Sequence, residues 1–184
     1  MPISTAELRK RARRVKLLLM DVDGVLTDGR IYYVPDGRGG LVETKGFHPR
    51  DGLGLRYVRE AGLKTGVISG RGGPAVKHRM KELRIDYVYL NTLEKLAPYQ
   101  AMLRAARLSD EEICYVGDDL VDLPILIRAG LGVGIGDGHP LLRRYVHYWT
   151  KNQGGRGAVR EVIELILSSQ EKFEPILKYY LRKS

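Results

Sequence analysis

Short apolar runs alternate with amphipathic stretches along the chain, and that alternation predicts the elements. Leu17–Met20 is an apolar run of strand length that stops at the polar stretch Asp21-Val22-Asp23-Gly24. Residues 30–34 and 41–47 flank Pro35-Asp36-Gly37-Arg38-Gly39-Gly40, a turn-rich stretch that predicts a β-hairpin. Helical spacing of apolar residues covers 53–61 up to Gly62, then 74–83 with Pro74 in its first turn, 93–107, 122–129 and 158–167. Strands are predicted over 64–68, 87–90, 113–116, 131–136 and 148–150, and the tail from 172 reads as a short amphipathic piece. Strands alternating with helices at this pitch predict an α/β fold, a Rossmann-like parallel sheet flanked by helices. The hairpin (30–47) is an insertion after the first strand. No repeat or linker divides the 184 residues, so 1–184 reads as a single domain.

Composition narrows the class. Hydrophobic residues make up 43% and charged residues 29%, which fits a soluble globular protein. The apolar run before Asp21 is too short to span a bilayer, and its flanks do not resemble a signal peptide. A single cysteine, Cys114, lies in an apolar strand and reads as inert core, which suits a reducing cytoplasm. The net charge is +9, and Arg9, Lys10, Arg11, Arg13, Arg14 and Lys16 form a basic run before the first strand. Clustered cations can bind nucleic acid, but no aromatics interleave and no nucleic-acid motif accompanies the run, so it reads as a solvated helix face. The four histidines are scattered without zinc-ligand spacing.

The chemistry is carried by polar residues at predicted strand ends. Asp21, Asp23, Ser69 and Asp118 each follow an apolar strand, and Lys95 opens the helix after another. In a parallel sheet all five meet at one edge. Asp21 and Asp23, two apart, are expected on one side of the strand end. One carboxylate can attack phosphorus while the second moves protons for the leaving alcohol and the attacking water. An anionic nucleophile approaching an anionic phosphate needs a cation, and Mg2+ prefers such oxygen ligands. Asp21, Asp118 and the Asp23 carbonyl are the expected ligands. Behind them stand Asp119 and Asp122, the latter either holding a metal-bound water or orienting Lys95. Ser69 and the Gly70 amide would donate to phosphate oxygens, with Lys95 as a fixed positive charge.

These residues resemble the four motifs of the haloacid dehalogenase-like phosphatases. Asp21–Gly29 resembles the first, Ser69 the second, Lys95 the third and Gly117-Asp118-Asp119 the fourth, in the family's order. The stretches Phe47–Gly52, Ser69–Arg71, Gly117–Pro124 and Gly154–Val162 resemble the branch acting on eight-carbon sugar-acid phosphates for bacterial lipopolysaccharide. The resemblance implies substrate contacts from His48, Pro49, Arg50, Asp51, Gly52, Arg56, Arg71, Arg79 and Arg156. His48 and Pro49 depart from the branch pattern, which expects Asn and an aliphatic residue there. Only 45 residues separate Asp23 from Ser69 and 25 separate Ser69 from Lys95, room for a hairpin but not for the usual cap domain. The resemblance therefore implies a capless enzyme, a homotetramer built through the hairpins, and a C-terminal segment (154–184) reaching a neighbouring subunit. Three readings stand beside this one: a nine-carbon, sialic-type sugar-acid phosphatase, a non-catalytic phosphatase-like oligomerisation module, and a phosphatase directed at macromolecules.

Overall fold

The first strand, β1 (Leu17–Met20), is buried along its whole length, as a strand with a layer on each face must be. In the computed structural model, which describes residues 3–182, β1 is the middle of a six-stranded parallel sheet. Positions 1, 2, 183 and 184 of the expected domain and C-terminal segment lie outside the described residues. On one side β1 pairs with β4 (Lys64–Ile68), followed by β5 (Tyr87–Tyr89). On the other side come β6 (Ile113–Gly117), β7 (Leu131–Gly134) and the short β8 (Tyr148–Trp149). The strand order reverses at β1, the point at which such sheets open a crevice.

Alternation within the strands builds two cores. Leu18, Met20, Cys114 and Val116 face a layer containing α1 (Thr5–Arg14), α2 (Pro49–Glu60), α3 (Pro74–Leu83) and α6 (Ala158–Ser169). Leu17, Leu19, Ile113 and Tyr115 face α4 (Leu96–Ala106) and α5 (Leu123–Leu126). A two-stranded hairpin of β2 (Tyr32–Pro35) and β3 (Leu41–Thr44) stands outside both layers. Its base is closed by an antiparallel bridge between Thr27 and Phe47.

Several boundaries differ from the sequence expectation. The stretch 48–52, ahead of the helix expected from 53, is the cap and first turn of α2: Pro49 occupies the first turn and His48 Nδ1 accepts from the Arg50 amide at 3.3 Å. The helix expected over 122–129 shrinks to α5, because Asp119 and Asp122 turn their carboxylates onto nearby amides and tighten Leu120–Asp122 into a 3-10 turn. The basic run lies on α1, and several members are occupied locally. Arg11 pairs with Glu7, Lys16 with Glu112, and Arg13 donates to the Ser169 carbonyl.

The C-terminal expectation is also narrowed. Within 154–184, α6 packs into its own subunit, with Val159, Val162, Ile163 and Ile166 fully buried. The chain after Ser169 ends in α7 (Phe173–Leu181), which is exposed over most of its length and packs Phe173 and Ile176 against the same core. Among the described residues no helix is long and apolar enough to cross a membrane.

Candidate active site

The adjacent strands β4, β1 and β6 end in Ser69, Asp21 and Asp118, so the sheet itself brings these residues together. Lys95, at the N-terminus of α4, extends into the same place. Its ammonium lies 2.7 Å from Asp122 Oδ1 and 3.1 Å from Asp21 Oδ1, with the side chain only 2% exposed. Asp122 is saturated. Its Oδ1 also accepts from the Tyr115 hydroxyl at 2.6 Å, and its Oδ2 accepts from the amides of Asp118 and Asp119 at 3.0 and 3.3 Å. Of the two roles expected for Asp122, this geometry matches orienting Lys95. Asp119 is exposed and caps the 3-10 turn, its Oδ1 accepting from the Leu120 amide at 2.7 Å.

Charge in this cluster does not balance. Asp21, Asp118 and Asp122 each bring a carboxylate oxygen within 4.8 Å of the others, against one ammonium among the described residues. Burial, reinforced by the charge of Asp122, pushes the Asp21 carboxyl up to about 7 despite Lys95. Burial and the charges of Asp21 and Asp122 push Asp118 up to about 8. Burial alone would lower Lys95, but Asp122 and Asp21 hold it above the usual lysine value. The Lys95 ammonium is the cation nearest Asp21 Oδ1, at 3.1 Å, and among the described residues that buried oxygen has no hydrogen bond of good geometry. A buried, undonated carboxylate oxygen beside a second carboxylate is a donor set that fits a hard divalent cation.

Asp23 is arranged differently from the strand-end expectation. β1 ends at Met20, and the amides of Leu26 and Thr27 both return to the Val22 carbonyl, so Asp23 lies in a turn. Gly24 makes this turn at φ +87°, and a β-carbon there would run into the Asp118 carboxylate. Thr27 braces the turn, its hydroxyl donating to the Val22 carbonyl and accepting from the amides of Gly24 and Gly29. The Asp23 carboxylate meets Lys45, whose ammonium lies 2.6 and 2.8 Å from its two oxygens. Neither Lys45 nor Tyr115 was visible to sequence reasoning as part of the site. Lys45 reads as an ordinary charge on a hairpin strand and Tyr115 as core; only the position of Lys45, two residues before the Phe47–Gly52 stretch, hinted at a role.

The residues expected to touch substrate divide into two groups. Ser69 is 1% exposed and its hydroxyl accepts from the Arg71 amide at 3.2 Å, with Gly70 packed against Leu93. Arg71 ion-pairs with Glu43 at 3.3 Å, while Arg79 pairs with Glu82 and lies over the Phe47 ring. Arg50 and Gly52 border the same region, Arg50 beside Gly157 and Gly52 against Arg79. Arg156 sits in a loop held by the Gly154 amide on Asp137 and the Gly155 amide on the Val25 carbonyl, against the chain's own Asp23 turn. Asp51 is buried and engaged: its carboxylate accepts from the amides of Gly157 and Arg160, fastening the start of α6. Arg56 is not brought to the cluster; it pairs with Glu60 and lines a hollow with Ile176 and Tyr180. A broad hollow lined by Arg14, Lys16, Lys64 and Lys172 opens at the amino ends of the strands, away from the carboxylates.

No protein-family model matches the chain. Known proteins do. The chain is 41% identical over 165 residues to 3-deoxy-D-manno-octulosonate 8-phosphate phosphatase of Yersinia pestis, covering 90% of this chain and 86% of the relative. The crystal structure of the Moraxella catarrhalis enzyme of that name, in complex with magnesium ion, phosphate ion and KDO, superposes with a TM-score of 0.91 at 36% identity. That match covers 96% of this chain and 99% of the other. A Legionella pneumophila hydrolase described as a subfamily III A member of the HAD superfamily matches at 38% identity, with a TM-score of 0.88 over 96% and 95% of the two chains.

Proposed function

The chain belongs to the 3-deoxy-D-manno-octulosonate 8-phosphate phosphatases of the haloacid dehalogenase superfamily, and from that premise we propose that it hydrolyses this phosphomonoester through an aspartyl-phosphate on Asp21. The observation that carries the reading is the undonated, buried Asp21 Oδ1 at the strand edge, in the cluster with Asp118, Lys95 and Asp122. The cofactor is Mg2+, and Asp21, Asp118 and the Asp23 carbonyl would hold it. When bound, the cation offsets the repulsion between a carboxylate nucleophile and the phosphate.

In the first half of the reaction an Asp21 oxygen bonds to phosphorus as the bond to the sugar oxygen breaks. Asp23 delivers a proton to that leaving oxygen. Lys95, held in place by Asp122, and the Ser69 hydroxyl with the Gly70 amide bind the phosphoryl oxygens. In the second half Asp23 takes a proton from water as its oxygen attacks phosphorus, releasing inorganic phosphate and free Asp21. Arg50, Arg71, Arg79 and Arg156 supply the positive rim for the sugar acid, with His48 and Pro49 at the start of α2 beside them.

The same reading covers assembly and place in the cell. A two-stranded hairpin is marginal alone, and here Tyr33 and Leu41 are 60% and 68% exposed. We propose that four hairpins pack together in a homotetramer and that the chain after Ser169 reaches an adjacent site. The enzyme would act in the cytoplasm, on the route to lipopolysaccharide sugar.

The test is phosphate release with Mg2+, comparing the octulosonate 8-phosphate with a nine-carbon sugar-acid 9-phosphate and a panel of common sugar phosphates. A strong preference for the first is expected, and Asp21→Asn should abolish turnover while leaving the fold intact. Preference for the nine-carbon acid would replace the substrate. Near-normal activity of Asp21→Asn would overturn the nucleophile.

A further inference from the structure

Lys45 is a buried cation with a narrow set of partners. Its side chain is 2% exposed, its ammonium spans both oxygens of Asp23, and Glu43 Oε1 lies 3.3 Å away on the other side. The second oxygen of Glu43 reaches Arg71 at 3.3 Å, so alternating charges run from Asp23 through the base of the hairpin to the loop after β4. Among the described residues Lys45 makes the only hydrogen bonds to the Asp23 carboxylate. Desolvating an ammonium is expensive, and here that cost is met by holding one carboxylate through both its oxygens. A short aspartate side chain on a turn has several rotamers open to it; a two-point clamp leaves one.

We propose that Lys45, steadied by Glu43, is a positioning residue that fixes the Asp23 carboxyl for its proton transfers, one oxygen staying on the ammonium while the other carries the proton. This rests on the phosphatase reading above, in which Asp23 carries the proton. The clamp touches neither the attacking oxygen of Asp21 nor the groups assigned to the phosphoryl oxygens. Its loss is therefore felt where the leaving oxygen needs a proton. A sugar alkoxide needs one as its bond to phosphorus breaks. A nitrophenolate leaves as a stable anion and does not. The ratio kcat/KM reports the steps up to the first phosphoryl transfer, so it separates the two cases without interference from the hydrolysis of the aspartyl-phosphate.

The experiment compares the full-length enzyme with Lys45→Met, Lys45→Arg and Glu43→Gln, in Mg2+, on the octulosonate 8-phosphate and on p-nitrophenyl phosphate. Lys45→Met is expected to lose about 10- to 100-fold in kcat/KM on the sugar-acid phosphate, the scale of a misplaced proton carrier, and less than about threefold on the aryl ester. Lys45→Arg should recover most of the loss, and Glu43→Gln should show a smaller loss with the same substrate bias. Equal losses on both substrates, or no loss on either, would overturn the proposal. Should Lys45→Met fail to fold, the substrate bias of Lys45→Gln, which leaves the Glu43–Arg71 pair in place, decides in the same way. A wild-type protein that releases phosphate from neither ester removes the proposal together with the reading on which it rests.

Discussion

At Asp21 and Asp118 the fold holds two carboxyls well above their ordinary value, at about 7 and about 8, and among the described residues supplies Lys95 as the sole ammonium in contact with the cluster. That imbalance is costly without a cation and is relieved by one, so cation binding should appear as stability. At about 100 times its dissociation constant, Mg2+ should add about 2.7 kcal/mol. For a chain of this size that is roughly 2–4 °C in Tm per kcal/mol. Asp118→Asn should lose most of that gain in a thermal melt with and without Mg2+, whereas an equal Mg2+ response in the variant would remove Asp118 from the ligand set. The acids themselves were legible because each follows an apolar run. Their partners were not: Lys45 reaches Asp23 across 22 positions and Lys95 reaches Asp122 across 27, and no local pattern marks either pair.

Individual elements are tied to the site by single polar residues. Glu161, in the first turn of α6, accepts from the Tyr148 hydroxyl at 2.6 Å, from the amides of Lys151 and Asn152, and from the Asn152 side chain. It fastens β8 and the loop leading to Arg156. Burial pushes its carboxyl up, but these donors outweigh burial and hold it below the ordinary glutamate value of 4.5. A depressed carboxyl stabilises the fold above its unfolded value, and that contribution is lost as pH falls through the folded one. Glu161→Gln should therefore cost about 1–3 kcal/mol in denaturant unfolding at pH 7. The gap to wild type should narrow below about pH 4; a gap of the same size at both pH values would contradict the assignment. α2 shows the limit of reading elements locally. Gly52 is a loop signal in a sequence, yet it lies inside the helix, as Gly54 does, and Gly54 lets Arg160 and Ile163 of α6 approach closely.

For the whole molecule, the question is what covers the hairpin. Tyr32, Tyr33, Val34, Leu41 and Val42 are all at least 40% exposed, on a ribbon that joins neither core. In the proposed tetramer this surface is buried, and the hairpins take the place of the absent cap. Paired Tyr33→Asp and Leu41→Asp substitutions are expected to lower the mass measured by sedimentation from tetramer to smaller species. An unchanged mass would show that the hairpin is not the assembly surface.

The order of elements, the parallel sheet and the meeting of Asp21, Ser69 and Asp118 at its edge were determined by the sequence alone. Strand patterning and chain order suffice for that, since a parallel α/β sheet places every strand's carboxyl end on the same side. The tertiary structure decided the rest, because it depends on contacts between residues far apart in the chain. It committed Asp51 to the start of α6, more than 100 positions away, and set Arg56 apart from the cluster. It also paired the Asp23 carboxylate with Lys45, 22 positions away. A charge in a sequence has no fixed partner; only the folded chain, by removing water from around both groups, selects one.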